Sequence, residues 1–332
     1  MRLVARLGEA LARHGRRPPA PFVARRLAAN PIVVGSMLPG EDGANINGPS
    51  LIAAPDWLPG RLARYYLYFA HHDGRYVRLA LADDLAGPWR IHAPGTLHCS
   101  DAGADVGHIA SPDVHVDEAR KRIVLYFHAA TRGERRQYSH VAFSGNGIDF
   151  AAEPARLADF YLRVVPWRDR WVGMSKGGRL YLQEEMGGPL AELPDAAFRI
   201  PRKGSNAPGA VRHVALACRG DRLDVFFTRI GDAPERILMA SIDLSLPPGG
   251  WRARNEVEIL RPTEPWEGAD LAVAPSRSGT SRGRENALRD PAIFHEDDRT
   301  YLLYSVAGEH GIAVAELEGY GSCHGSRRPA GG

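Results

Sequence analysis

The chain has 332 residues, 44% of them hydrophobic and 8% aromatic, and a formal net charge of only +3. That composition supports a large core, while the near-neutral charge offers no field to gather a nucleic acid or an anionic membrane surface. No run of roughly 18 apolar residues occurs, which excludes a membrane-spanning helix.

Residues 1–30 are predicted as a helical extension, one amphipathic helix or two short ones between Arg2 and Asn30. Arginines interrupt its apolar stretch throughout, unlike a secretory leader. Cys99, Cys218 and Cys323 are odd in number and lack CxxC spacing, as expected of free thiols in a reducing compartment. A cytoplasmic location is the expectation.

From Pro31 the helical period gives way to short runs rich in Val, Ile, Tyr and Phe, punctuated by Gly, Asp and Pro, which predict strands and turns. A unit with a polar tip, an apolar strand, a charged turn and an aromatic return strand repeats. It is read at Gly48–Ile52 with Arg64–Phe69, and at Ser111–Val116 with Arg122–Phe127. A weaker copy is Tyr161–Val165 with Arg170–Met174. The last two are Val211–Leu216 with Leu223–Phe227, and Asp290–Phe294 with Thr300–Tyr304. Third strands follow at Tyr76–Ala82 and Gly311–Ala315, and Trp89 and Trp251 close two units. The copies recur about every 50–65 residues, the span of one four-stranded blade. An all-β, five-bladed β-propeller over residues 31–320 is therefore predicted, followed by a disordered tail at 321–332.

The Gly/Ser/Arg-rich stretch Thr263–Glu285 breaks the rhythm, either as a surface excursion or as a lid over the axial mouth. The cluster Asp232–Arg236 reads as a solvated hairpin, with Arg229 before it the better ligand contact.

In a propeller the inner strands converge on the axis, so polar residues at their ends should share one pocket. The substrate-binding candidates are Asn47, His71 and His72 on the first blade, and His108, Ser111 and His128 on the second. Arg163 on the third, Arg212, His213 and Arg229 on the fourth, and Arg289 and His310 on the fifth complete the set. Two carboxylates in such a pocket, Asp113 and Asp290, suit glycosidic chemistry, with Glu309 the candidate for the protonated partner. Each also has a plain structural reading: Asp113 capping its own turn, Asp290 paired with Arg289, and Glu309 shaping a turn. The histidines suit a hydrogen-bonding wall or a substitute acid. Adjacent His71 and His72 would face opposite sides of a strand, so no metal site is expected. No phosphate-cradling loop or GxSxG elbow is present.

Tyr65–Tyr68, Ala82–Trp89, Ala110–Val114 and Arg289–Phe294 together resemble the five-bladed propeller glycosidases, the superfamily of glycoside hydrolase families 43 and 117. The resemblance spans roughly Pro31 to Leu317 and extends to uncharacterised bacterial members. It implies an aspartate before proline on the first blade as base, an aspartate in the second blade's Pro-Asp motif as modulator, and a glutamate opening the third blade as acid. Asp113 matches the modulator. The first blade departs with Asn47-Gly48-Pro49, and the third offers Arg163 where the acid belongs. The expectation is then an inverting, exo-acting glycoside hydrolase with Asp290 as base, Asp113 as modulator and Glu309 as acid. Asp113 and Asp290 should open onto one hollow, and base and acid should lie about 6.5–9.5 Å apart. Family 117-like use of a histidine acid directs attention to His310 and His213. The alternatives are a non-catalytic sugar-binding propeller, or a phosphorylase in which Arg212, Arg229 and Arg289 hold phosphate. An oligosaccharide or glycoside is the expected partner, with no nucleic acid and no membrane. No cofactor is expected, and a structural calcium in the axis is left open.

Overall fold

The computed structural model describes residues 20–321. Two short strands, β1 (Val23–Arg26) and β2 (Val33–Val34), lead into five antiparallel sheets. The first blade is β3 (Asn47–Ala53), β4 (Tyr65–Ala70), β5 (Arg78–Ala82) and β6 (Arg90–His92). The second holds β7 (Val106–Asp117), β8 (Arg122–Thr131), β9 (Tyr138–Ser144), β10 (Ala151–Ala152) and β11 (Ala158–Asp159). The third has β12 (Arg163–Trp167), β13 (Arg170–Ser175), β14 (Arg179–Gln183) and β15 (Ala191–Glu192). The fourth has β16 (Val211–Arg219), β17 (Arg222–Arg229), β18 (Ile237–Asp243) and β19 (Arg254–Leu260). The fifth takes β20 (Arg289–Glu296), β21 (Arg299–Ser305) and β22 (Gly311–Glu318).

The predicted five-bladed propeller is thus the fold observed. Its fifth blade is completed from the other end of the chain: β1 pairs antiparallel with β22 as the outermost strand, Val23 facing Glu318 and Arg26 facing Ala315, and β2 pairs with β22 beside it. The helical expectation for residues 1–30 is corrected where it can be compared. Residues 20–30 contain strand β1 and a turn in which the Asn30 amide exchanges hydrogen bonds with the Val314 backbone at 2.7 and 2.9 Å. The remainder of that expectation, and residues 322–332 of the tail expected at 321–332, lie outside the described residues. Arg26 ties this closure to the fully buried Glu267 through two 2.8 Å contacts.

The core follows from strand periodicity. Side chains alternate across a strand, and a blade packed on both faces reads as a continuous apolar run. Along β4, Tyr65, Leu67 and Phe69 join the cluster shared with the fifth blade, whereas Tyr66 and Tyr68 join the cluster shared with the second. Along β21, Tyr301 and Leu303 face the first blade while Leu302 and Tyr304 face the fourth. The five hydrophobic clusters occupy the five interfaces between neighbouring blades. Trp251, completely buried, packs edge-on against Trp167 at 5.4 Å and donates its indole N–H to Leu246. The apolar interior is therefore a ring of blade interfaces around the axis. No helix among the described residues is long and apolar enough to cross a membrane.

Candidate active site

One backbone feature builds the site, repeated from blade to blade. The inner strands break register between Asn47 and Ser50, between Ala110 and Asp113, and between Arg289 and Ala292. Within these bulges Gly48, Ser111 and Asp290 adopt left-handed φ of 58°, 51° and 48°, and each precedes a proline. A fourth bulge lies between Val211 and Val214, around His213, and Tyr161 is left-handed (φ 61°) just ahead of β12. Bulges re-aim side chains, and non-glycine residues held at positive φ concentrate at functional sites. At or beside these positions Asn47, Ser111, Tyr161, His213 and Asp290 line a common cavity of about 220 Å³.

Asn47, His72, His108, Ser111, His128, His213, Asp290 and Glu309 line that cavity, so eight of the fifteen sequence candidates are brought together. Tyr161, Gln137 and Asp73 line it as well and were not among the candidates. The Asp290 carboxylate is buried, touches Nδ1 of His213, and accepts a hydrogen bond from Ser305 Oγ at 3.0 Å. Burial works to raise its pKa, but His213, Arg289 and Ser305 outweigh burial and hold it well below the usual carboxylate range. Burial in turn pushes the His213 imidazole down, against the pull of Asp290. The pair is best described as an ionised aspartate accepting from a neutral histidine. Tyr161 stands edge-on to the His213 ring at 4.3 Å, and burial, with Asp290 and Glu309 nearby, keeps its phenol protonated.

Glu309, 1% exposed, is surrounded by donors: Asn45 Nδ2 at 2.6 Å, Thr280 Oγ and Ser281 N at 3.3 Å, and Arg289 at 3.3 Å. His72 Nδ1 lies 3.6 Å away, making a second carboxylate–histidine pair on the same cavity. The loop bearing Asn45 is fixed by buried Arg78, which donates to the carbonyls of Asp42 and Asn45.

His128 is 2% exposed, and its Nδ1 has no partner among the described residues. Burial and then its histidine neighbours push its pKa well below 6.5. A histidine with a lowered folded pKa stays neutral while the unfolded chain protonates, so it costs stability as pH falls below about 6.5. Relative to the wild type, His128→Gln is expected to lose up to ~1.4 kcal/mol less stability per pH unit of acidification in this range. Urea unfolding of both proteins at pH 7 and pH 5 measures the difference, and equal losses would refute it.

The remaining candidates lie elsewhere. Asp113 lines a separate axial cavity of about 580 Å³, bordered by Ile52, Val165 and Phe294. It pairs with His115 at 3.0 Å and Arg163 at 3.6 Å, and accepts the Val164 N–H, clasping the second blade to the third. Burial works to raise its pKa, but His115, Arg163 and Val164 bring it below the ordinary value. The expectation that Asp113 and Asp290 share one hollow is therefore corrected, and the three-carboxylate scheme with it. Arg163 points to the same axial cavity and to the Pro112 carbonyl. Arg229 is bidentate to Glu256 beside another depression. Arg289 is buried beneath the site among Glu235, Glu285 and Glu309, and Arg212 shares Glu235. The three arginines expected to hold phosphate are thus not assembled in one place. His71 accepts from the Asp73 N–H, His310 contacts the Ala307 carbonyl, and neither lines the cavity.

Thr263–Glu285 is not a loose excursion. Thr280 and Ser281 touch Glu309, Ser276 bonds the Gly231 backbone, and Arg212 donates to the carbonyls of Arg277 and Gly279. The expected solvated hairpin at Asp232–Arg236 is corrected too, because Glu235 is fully buried under the site. Among the described residues, no group of three or more His, Cys, Asp or Glu side chains is arranged to hold a metal ion.

No protein-family model matches the chain. An uncharacterised protein of Acanthamoeba polyphaga mimivirus is 34% identical over 302 residues, covering 83% of this chain and 85% of the viral protein. The chain belongs to the family of that viral protein. Among solved structures, a member of the GH130 family, described as mannoside phosphorylases containing hydrolases that target β-1,2 mannosidic linkages in Candida mannan, superposes with a TM-score of 0.60. It is 11% identical, covering 90% of this chain and 94% of that one. An α-L-arabinofuranosidase from Lactobacillus brevis gives a TM-score of 0.56 at 11% identity, with 86% and 92% covered. At these identities the shared property is the fold, the five-bladed propeller that the sequence resemblance implied.

Proposed function

We propose that this family member is a glycoside hydrolase that removes a terminal unit from a small oligosaccharide with inversion. The observation that carries the reading is two carboxylate–histidine pairs, Asp290 with His213 and Glu309 with His72, on one small cavity at the inner-strand ends of a propeller. The fold neighbours that act on mannosidic and arabinofuranosidic linkages point the same way.

Inverting hydrolysis needs one group to take a proton from water and another to protonate the departing oxygen. With Nδ1 of His213 held on Asp290, the free lone pair of the neutral ring is on Nε2. His213 accepts the water proton as the water oxygen bonds to the anomeric carbon, and ionised Asp290 stabilises the imidazolium that forms. His72, with Glu309 beside it, gives its proton to the leaving oxygen as the glycosidic bond breaks. Both Asp290 oxygens are engaged, by His213 and Ser305, which favours attack by water over a covalent glycosyl–enzyme. The base aspartate that the resemblance places before the first-blade proline is Gly48 here, and the matching bulge of the adjacent fifth blade carries Asp290 before Pro291. A cavity of about 220 Å³ suits a single sugar unit and hence exo-action.

The test is purified protein with aryl glycosides and plant, algal and bacterial oligosaccharides, the first-formed anomer being read by NMR. Hydrolysis with inversion is expected, and His213→Gln should lower kcat by about 10²–10⁴. Binding without release of sugar would sink the hydrolase reading and leave a carbohydrate-binding propeller; release that requires phosphate would make the protein a phosphorylase.

A further inference from the structure

The cavity opens into a vestibule of about 550 Å³, the two sharing His72, Gln137, Tyr161 and His213. Its charge is one-sided. Arg135, Arg136, Lys176, Arg179 and Arg212 line it against a single acid, Asp159. Arg179 is satisfied by Asp159 at 3.0 Å and Glu192 at 2.7 Å, and Arg212 by Glu235 at 2.9 Å. The others have no carboxylate. Arg135 and Arg136 are exposed and make no ion pair among the described residues.

Lys176 is the informative one. It is only 9% exposed, yet its ammonium meets no acid. Its partners are the Asn206 side-chain oxygen at 2.6 Å and the faces of Phe160 and Tyr161, at 4.9 and 5.5 Å. Buried lysines are ordinarily paired, because desolvating an ammonium is costly. Burial, with Arg212 adding to it, pushes this one down to about 8. A chain with a net charge of only +3 has acids enough to neutralise such a position and does not place one there.

We infer that the vestibule receives an anionic substituent carried by the substrate, a sulfate or phosphate ester or a uronate carboxylate, with Lys176 as its central contact and Arg135 and Arg136 at its rim. This rests on the glycoside reading and deepens it by naming the substrate class. An oxyanion beside Lys176 supplies the missing counter-charge and accepts charge-assisted hydrogen bonds in a partly desolvated place, where they are strongest. The tyrosine that stands over His213 also packs under Lys176, so an anion held there sits beside the reacting sugar.

Retention of the full chain, wild type and Asp290→Asn in parallel, on an array of neutral, uronate-bearing, sulfated and phosphorylated oligosaccharides tests this. Anionic members are expected to dominate the bound set, and Lys176→Met to weaken their retention roughly 10- to 100-fold. Arg135→Ser/Arg136→Ser, a double change on exposed side chains, should weaken it in the same direction, so the test stands even if Lys176→Met folds poorly. A bound set of neutral glycans, an empty array, or indifference to all three substitutions overturns the inference. Inorganic phosphate titrated calorimetrically separates the sources: if it binds the wild type as tightly as the best phosphorylated sugar, and Lys176→Met removes both, the site takes a free oxyanion and the substituent is refuted. Retention of anionic glycans without cleavage leaves this inference standing and removes only the hydrolase reading, whereas cleavage confined to neutral glycans does the reverse.

Discussion

Asp290→Asn is expected to leave a folded propeller whose turnover falls by about 10³–10⁴. The carboxylate is buried against Nδ1 of His213, with Ser305 Oγ on its other oxygen at 3.0 Å. An ionised carboxylate fixes the Nδ1–H tautomer and compensates the charge His213 gains when it takes a proton from water. An asparagine does neither: its amide can present an N–H to His213 and favour the opposite tautomer, and it carries no charge. Two readouts distinguish this from collapse of the site. Circular dichroism and the unfolding midpoint should show the fold retained, and ¹⁵N NMR of the histidines should show a changed His213 tautomer. The pH profile follows from the same pair. Burial lowers the His213 pKa from 6.5, so the acid limb of kcat/KM should fall below that value, with activity lost as pH drops and His213 protonates. Full activity in Asp290→Asn would remove Asp290 from the chemistry.

The blades were legible because each strand is sandwiched between two interfaces, so a period-two side-chain pattern persists through runs such as Tyr65–Phe69 and Thr300–Tyr304. The bulges were not expected, although Gly48-Pro49, Ser111-Pro112 and Asp290-Pro291 recur at equivalent places of the repeat. What a strand pattern does not carry is depth along the axis. Asp113 lies two residues past the left-handed Ser111, about 7 Å further down the strand, and that step takes it from the cavity to the axial chamber. Nor does it show which charges are already spent. Arg229 and Arg289 sit at strand ends like ligand contacts, but Glu256 and Glu235 claim them, and each acid belongs to a segment whose sequence gives no hint of the pairing. Closure of the ring was hidden for a third reason: β1 meets β22 across nearly the whole chain, and an arginine-rich stretch continuing a helix-like pattern gives no local sign of that pairing.

Removing the Glu235 side chain should be costly to stability. It is fully buried and joins three elements: Arg289 of β20 at 2.9 Å, Arg212 of β16 at 2.9 Å, and Thr228 of β17 at 2.8 Å. Without it Arg212 keeps only loop carbonyls, and Arg289 is drawn toward Glu285 and Glu309. Breaking one partner out of a buried ion pair strands its counter-charge, at a cost of about 3–5 kcal/mol. Glu235→Ala is therefore expected to lose stability on that scale in urea unfolding. Glu192→Ala, which removes an exposed partner of Arg179 on the third blade, should cost less than about 1 kcal/mol. The consequence reaches the chemistry, because Arg289 is bonded to Glu309 at 3.3 Å and Glu309 backs His72 at 3.6 Å. Glu235→Gln, which keeps the shape and one acceptor, is expected to recover part of the stability while still lowering kcat more than it raises KM, since the charge that positions Arg289 is gone. Equal destabilisation by Glu235→Ala and Glu192→Ala would show that the buried network adds no more stability than an exposed pair, and an unchanged kcat in Glu235→Gln would show that it does not position Glu309.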